Sequence, residues 1–273
     1  MAVLSADFQY LQLLLHVNAG LVLDKGKEYL VEARLDPLAR IEGFASIGAL
    51  IDSIRHKPLN GIHRKVIDAM TTNETSFFRD FYPFEALRTD VIPQLISKGG
   101  LQRRLNIWCG AASTGQEPYS IAMLLREHFP TLAGWTIRML ATDINAEVIQ
   151  RAKSGRYRQM EVNRGLPAPM LVKYFRERAA MWEIREDIRA MVEFREMNLT
   201  QPWPALPKCE LVFLRNVMIY FDVETKRAIL AKIRNILAPG GYLFLGNAET
   251  TLNLDDHYER AVFGKVVCYK LKA

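Results

Sequence analysis

Four short stretches of this 273-residue sequence gather side chains able to do chemistry, and two of them point to a cofactor. In the first, the apolar run Leu105–Cys109 gives way to Gly110–Ala111–Ala112–Ser113–Thr114–Gly115–Gln116–Glu117, and Pro118 is suited to open a helix just beyond. Glycines in such a loop let backbone N–H groups reach a ligand with no Cβ in the way. The spacing is G-x4-G and not G-x-G-x-x-G, which counts against a nicotinamide dinucleotide. In the second stretch, the apolar run Ile137–Ala141 leads to Thr142–Asp143. A carboxylate at a strand end can accept hydrogen bonds from both hydroxyls of a ribose. It can equally cap the helix that starts near Asn145, and the two roles are compatible. A small-residue loop followed by an acid one strand later fits a nucleoside-containing cofactor.

The other two stretches are Thr72–Asn73–Glu74–Thr75–Ser76–Phe77–Phe78–Arg79–Asp80 and Phe213–Leu214–Arg215–Asn216–Val217–Met218–Ile219–Tyr220–Phe221–Asp222. The first is dense in hydrogen-bonding groups beside two aromatics, and on its own it reads better as a helix cap with Phe77 and Phe78 in a core. The second puts Asn216 at the end of a predicted strand. Cys109, Cys209 and Cys268 are odd in number and far apart, so neither a disulfide framework nor a paired metal site is expected. His16, His56, His63, His128 and His257 all lie outside the four stretches and read as structural or surface residues.

The elements that must position these groups change character along the chain. Up to about residue 70 only helical periodicity appears: Phe8, Leu11, Leu14 and Leu15 in one segment, and Tyr29, Leu30, Ala33, Leu38 and Ile41 in the next. Pro37 should kink or divide that second helix. Segments near 46–57 and 60–71 complete a helical unit. From Leu105 onward, short apolar runs alternate with helical patterns: Leu105–Cys109, Ile137–Ala141, Val192–Phe194, Leu211–Leu214, then a helix over Glu224–Leu237. A turn is expected at Ala238–Pro239–Gly240–Gly241, before strands Tyr242–Leu245 and Val266–Leu271. That rhythm predicts an α/β domain with a mostly parallel sheet and its ligand at the strand carboxyl ends. The region 153–190 breaks the rhythm and reads as an insertion. The opening MAVLSADFQYLQLLLHV reads as an amphipathic helix and not a signal peptide. No stretch approaches the roughly 18 apolar residues of a membrane span, so a cytoplasmic protein is expected. The net charge of +6 favours an acidic partner without naming it.

Taken together, the Asn-x-Thr-x-Phe-Phe-Arg word at Asn73–Arg79, Gly115–Gln116–Glu117–Pro118–Tyr119–Ser120, Arg215–Asn216–Val217–Met218–Ile219–Tyr220–Phe221 and Leu237–Ala238–Pro239–Gly240–Gly241–Tyr242–Leu243 resemble the CheR-type chemotaxis receptor methyltransferases over nearly the whole chain. The resemblance implies a Rossmann-like S-adenosylmethionine-dependent methyltransferase sheet over 73–273. It adds an all-helical receptor-facing domain over 1–72 and a small antiparallel β-subdomain within about 153–190. It implies methyl transfer from S-adenosylmethionine to glutamate side chains of chemoreceptor cytoplasmic domains, with no metal. Asn73, Thr75, Arg79, Glu117, Asp143, Asn198, Leu199, Asn216 and Val217 match the family's cofactor contacts. Arg79 and Tyr220 are the candidates for orienting the acceptor carboxylate, and Arg34 matches a receptor-binding position on the second helix, between Lys27 and Arg40. Nucleic-acid methylation is disfavoured because no Pro-Pro follows Asn216; a non-catalytic cofactor-binding module is the remaining alternative. The stretch Phe175–Ile184 holds no glycine, unlike the family's tail-docking loop, so tethering of a receptor C-terminal peptide is not expected there. The alternation of Trp182 and Ile184 still predicts the inserted sheet.

Overall fold

The computed structural model describes residues 4–98 and 103–272; Met1–Val3, the start of the amphipathic opening, lie outside the described residues. Helix α1 (Ser5–Ala19) buries Phe8, Leu11, Leu14 and Leu15 along one stripe and ends at Gly20, whose φ of +69° lets its amide turn back to the His16 carbonyl. Helix α2 (Glu28–Ile41) corrects the expected face. Val31, Leu35 and Ala39 point to the core, whereas Tyr29 and Ile41 are 67% and 79% exposed. The i, i+4, i+8 stripe facing α4 and α3 outweighs the bulkier residues at the helix ends. Pro37 neither ends nor divides α2. The carbonyl it leaves without a helical donor belongs to Ala33, which is exposed, so water can serve it. Helices α3 (Ile47–Ile54) and α4 (Gly61–Met70) start at side-chain caps from Ser46 and Asn60, and buried His63 completes the second cap.

Past helices α5 (Tyr82–Ala86) and α6 (Ile92–Lys98) the chain enters the sheet. Its strands are β1 (Arg104–Gly110), β2 (Thr136–Asp143), β6 (Val192–Glu196), β7 (Cys209–Leu214), β8 (Leu237–Leu245), β9 (Tyr258–Phe263) and β10 (Val266–Leu271). Their spatial order is β6-β2-β1-β7-β8-β10-β9. The first five run parallel and the last two form an antiparallel edge. Helices α7 (Gln116–His128), α8 (Ala146–Ser154) and α12 (Val223–Ile236) cover it. The chain leaves β1 toward β2 on one side and later returns to β7 on the other. The switch point therefore lies just beyond Gly110 and Leu214, where a parallel sheet leaves room for a ligand.

Two expectations need correcting. Ala238–Gly241 is part of β8, accommodated by a register shift opposite Cys209–Leu211, and is not a turn before it. Strand β9 was not expected: its outward residues face solvent at the sheet edge, so its apolar alternation is weak.

The insertion holds β3 (Arg156–Tyr157), α9 (Gln159–Val162), α10 (Ala168–Tyr174), β4 (Phe175–Arg178), β5 (Met181–Ile184) and α11 (Glu186–Arg189). Its strands form an antiparallel sheet in the order β3-β5-β4. The β4–β5 hairpin turns on Ala179 and Ala180, both at positive φ, where glycine would be the usual choice. Tyr157, Phe175 and Ile184 are buried on its inner face. The Phe77 ring packs edge-on against Tyr157 and Phe175, with centroids 5.0 and 5.6 Å away.

The helical unit is tied to the sheet domain near the switch point. The Val22 amide donates to the Tyr220 carbonyl (2.9 Å), and Leu21 bridges Phe221. Asn198 Nδ2 donates to the Asn18 carbonyl (2.6 Å), and His16 Nε2 lies 2.7 Å from the Asp222 carboxylate that caps α12.

Candidate active site

A cleft of about 870 Å³, counting space open to solvent, lies at the switch point. Asn73, Thr75, Arg79, Glu117, Asp143, Asn198, Leu199, Asn216, Val217 and Tyr220 all line it, so the four stretches converge on one site. Arg34 does not. It donates to the carbonyls of Met70 (2.5 Å) and Thr71 (3.0 Å) and to the Thr72 hydroxyl (2.8 Å), clamping the linker that leads to Asn73. Arg34 also lines a smaller adjoining cleft with Lys27, Tyr29 and Tyr220. Of the other expected α2 cations, Lys27 pairs with Asp24 and Arg40 with Asp36, both at the surface.

The loop after β1 works differently from the expectation. Ala111, Ala112 and Ser113 line the cleft; Gly110 and Gly115 do not. A Cβ on Gly115 would lie 3.0 Å from Ala152 Cβ and 3.2 Å from the Phe194 ring, and one on Gly110 2.7 Å from Leu214 Cδ1. Gly115 lets the start of α7 pack closely on α8 and β6, Gly110 lets β1 lie against Leu214 of β7, and Gly115 also supplies its φ of +91°. The ligand-facing turn is made by Ala111 and Ser113, both at positive φ. Its geometry is fixed by Asp143, whose Oδ2 accepts the Ser113 amide (2.8 Å) while Oδ1 accepts the Asn145 amide (3.0 Å). Asn145, not Asp143, caps α8 by accepting from the Glu147 and Val148 amides. Each Asp143 oxygen keeps a lone pair for a ribose hydroxyl. Burial raises the Asp143 carboxyl above its ordinary pKa, opposed by the backbone amides bonded to it.

Glu117 stands in the first turn of α7, where the helix dipole favours a carboxylate. Its Oε2 accepts from Arg215 Nη1 (2.6 Å), and Oε1 has no hydrogen-bond partner among the described residues. Burial pushes the Glu117 carboxyl up, and the Arg215 guanidinium beside it pulls it back. Arg215, 1% exposed at its side chain, also reaches Asp80 Oδ2 (2.6 Å) and the Arg79 carbonyl (3.2 Å). One guanidinium between two carboxylates leaves a net charge of about −1 there, which suits an ammonium group. Around Arg79 the backbone is strained: Phe78, Asp80 and Phe81 all have positive φ. Arg79 itself is held through Nη1 by the Glu74 carbonyl at 3.0 Å.

On the far wall, Asn216 has a φ of +59°, and its side-chain amide has no intramolecular partner among the described residues. Arg215 and Glu249 were not singled out from the sequence. Arg215 carried a signal, as the one cation at the strand end beside Asn216. Glu249, in an unremarkable polar loop, carried none. Among the described residues no three ligand-type side chains cluster as for a metal ion.

The donors and acceptors fit S-adenosylmethionine: an unpaired carboxylate oxygen for its ammonium, Asp143 for its ribose, and Met197–Leu199 with Ile144 as an apolar wall for its base. Cleft, sheet order and donor set together define an S-adenosylmethionine-dependent methyltransferase. Residues 73–267 match the CheR methyltransferase, SAM binding domain, and residues 6–71 match the CheR methyltransferase, all-alpha domain. The chain belongs to the CheR methyltransferase family and binds S-adenosylmethionine as a chemotaxis protein methyltransferase. It is 42% identical, over the full length of both chains, to chemotaxis protein methyltransferase 1 of Pseudomonas aeruginosa. It is 40% identical to chemotaxis protein methyltransferase Cher2 of Pseudomonas putida over 97% of this chain and 98% of that one. The chemotaxis protein methyltransferase of Vibrio parahaemolyticus is 34% identical, with 94% of each chain covered.

Proposed function

We propose that the enzyme forms methyl esters on glutamate side chains of the helical cytoplasmic domain of chemoreceptors. The observation that carries this reading is the smaller cleft beside the cofactor site: it shares Leu21, Thr72 and Tyr220 with that site and is walled by Lys27, Arg34 and Tyr29. Tyr220 is the common wall, so a carboxylate entering between the α2 cations arrives next to Asn216 and Arg79. Burial lowers the Arg34 guanidinium's pKa, with Tyr220 nearby opposing the shift. A guanidinium stays charged through any such shift, so it remains a counter-ion for an acidic acceptor.

Bound S-adenosylmethionine supplies an electrophilic methyl group. The acceptor, a carboxyl with an ordinary pKa of about 4.3, is already ionised at neutral pH and needs no general base. What the chain contributes is placement. Glu117 and Asp143 hold the cofactor's ammonium and ribose, Arg79 and Tyr220 orient the acceptor oxygen, and the linker clamp at Arg34 sets the entrance. Holding two reactants in line can supply several kcal/mol of the barrier reduction. No helix among the described residues is long and apolar enough to cross a membrane, in keeping with an enzyme that meets receptors at their cytoplasmic ends.

The test is incubation with methyl-labelled S-adenosylmethionine and either a chemoreceptor cytoplasmic fragment or duplex DNA. Alkali-labile label on the receptor fragment alone supports the reading; label on DNA, or alkali-stable label on protein, refutes it.

A further inference from the structure

Beyond the cofactor contacts, the Glu249 carboxylate closes a backbone cradle at the end of β7. Its Oε2 accepts from the amides of Asn216 (2.8 Å) and Gly246 (2.6 Å), and its Oε1 from those of Val217 (2.8 Å) and Ile219 (3.3 Å). Four converging N–H groups form the kind of nest that binds an anion, here filled from within the chain. The nest spans the turn on which Asn216 takes its positive φ and from which the one-turn helix Met218–Tyr220 starts. Gly246 completes it: a Cβ there would meet Asn216 Nδ2 at 2.7 Å, Glu249 Oε2 at 2.7 Å and the Asn216 nitrogen at 2.8 Å. Neither Glu249 nor Gly246 lines the cofactor cleft.

We infer that Glu249 is a positioning residue for methyl transfer, fixing Asn216 directly, and Tyr220 through the adjoining Val217–Ile219 backbone, on one wall of the reacting centre. The inference rests on the proposed transfer to a receptor carboxylate. Its physical basis is that Asn216 has strained backbone and no side-chain partner of its own, while the Tyr220 hydroxyl has none among the described residues. The Val22 amide steadies the wall at the Tyr220 carbonyl, and the nest holds its other end, at the Asn216 turn. A carboxylate is required and an amide will not serve. Each oxygen serves two N–H groups, so whichever way a glutamine turns, two amides meet an N–H donor instead of an acceptor.

The experiment compares wild type with Glu249→Gln and, separately, Gly246→Ala, which crowds the same turn while keeping the carboxylate. Amide hydrogen exchange at Asn216, Val217, Ile219 and Gly246 reads the nest itself, whatever the acceptor proves to be. Exchange should accelerate at these positions in Glu249→Gln, and unchanged protection would overturn the inference. The kinetic expectation for both variants is a kcat lower by about a hundredfold, the cost of a misplaced reacting wall. The cofactor Kd should weaken far less than kcat falls, by no more than about tenfold, because Glu117 and Asp143 are untouched while Asn216 and Val217 shift. Wild-type kcat in Glu249→Gln, or parallel loss of kcat and cofactor binding, would overturn it. If wild-type enzyme itself fails to label receptor, the functional reading falls while the exchange result still judges the nest.

Discussion

Arg215 Nη1 lies 2.6 Å from Glu117 Oε2, and the same guanidinium holds Asp80 at 2.6 Å through Nη2. A residue buried at the end of β7 thus joins the acid at the start of α7 to the strained loop that carries Arg79. The cofactor end of the site and the acceptor end are mechanically one unit. Arg215 Nε is buried without a partner, so the triad is not fully satisfied within the protein.

Replacing Arg215 by methionine should therefore leave two carboxylates facing each other without their cation. Removing one partner of a buried ion pair costs about 3–5 kcal/mol; Asp80 is partly exposed, so the lower end is expected. Urea denaturation measures it, and a loss below 1 kcal/mol would mean that water replaces the guanidinium.

Cofactor affinity should weaken on acidification at a higher pH than ordinary carboxylates would dictate. Both Glu117 and Asp143 have pKa values raised by burial, and in their proposed roles only the ionised forms receive the ammonium and both ribose hydroxyls. Protonation thus begins above the usual carboxylate range. Calorimetric titrations across pH should show this loss, and Asp143→Ala should cost about 1.5–3 kcal/mol at neutral pH. An affinity flat down to pH 4 would contradict both assignments.

Asp68, at the end of α4, has a pKa raised to about 6, chiefly by burial, with Glu196, Asp143 and Glu147 adding to it and Arg64 opposing. Its folded value exceeds its unfolded one, so its contribution is most favourable below about pH 4 and is lost as pH rises through 6. Asp68→Asn should then be more stable than wild type above pH 6, by about 1 kcal/mol given its partial exposure, and the advantage should shrink toward pH 4. Melting temperatures of both proteins from pH 4 to 8 check the sign.

Arg34→Gln keeps hydrogen-bond donors for the Met70 and Thr71 carbonyls while removing the charge. Receptor KM should rise, by about the tenfold expected for 1–2 kcal/mol of lost carboxylate attraction, with cofactor Kd unchanged. An equal loss of both would show that Arg34 serves only the linker. Arg79→Ala should lower kcat strongly, since Arg79 faces the site from a loop held by other residues; wild-type turnover would remove it from the mechanism.

Much of this site was legible because its residues sit at positions that local chemistry dictates. Asp143 ends β2, Asn216 follows β7 by two residues, Glu117 opens a helix, and an apolar run followed by a polar break precedes each. The parallel order of the first five strands follows from their alternation with helices. What was not legible depends on tertiary contact. The roles of Gly110 and Gly115 look like ligand approach until Leu214, Ala152 and Phe194 are seen against them. The core face of α2 is chosen by neighbouring helices, not by where its bulkiest residues fall. Arg34, expected at a receptor-binding position, is partly consumed by carbonyls 36 and 37 residues away. Glu249 is joined to Asn216 across 33 residues by backbone donors, which no side-chain pattern reports.

The most direct test of the account is tandem mass spectrometry of a chemoreceptor cytoplasmic fragment after incubation with enzyme and S-adenosylmethionine. The account predicts added methyl groups on glutamate side chains alone, much reduced with Glu117→Gln, whose single amide oxygen cannot serve both Arg215 and the ammonium in the proposed role. Methylation on lysine or amide nitrogen, or glutamate esters undiminished in Glu117→Gln, would contradict it.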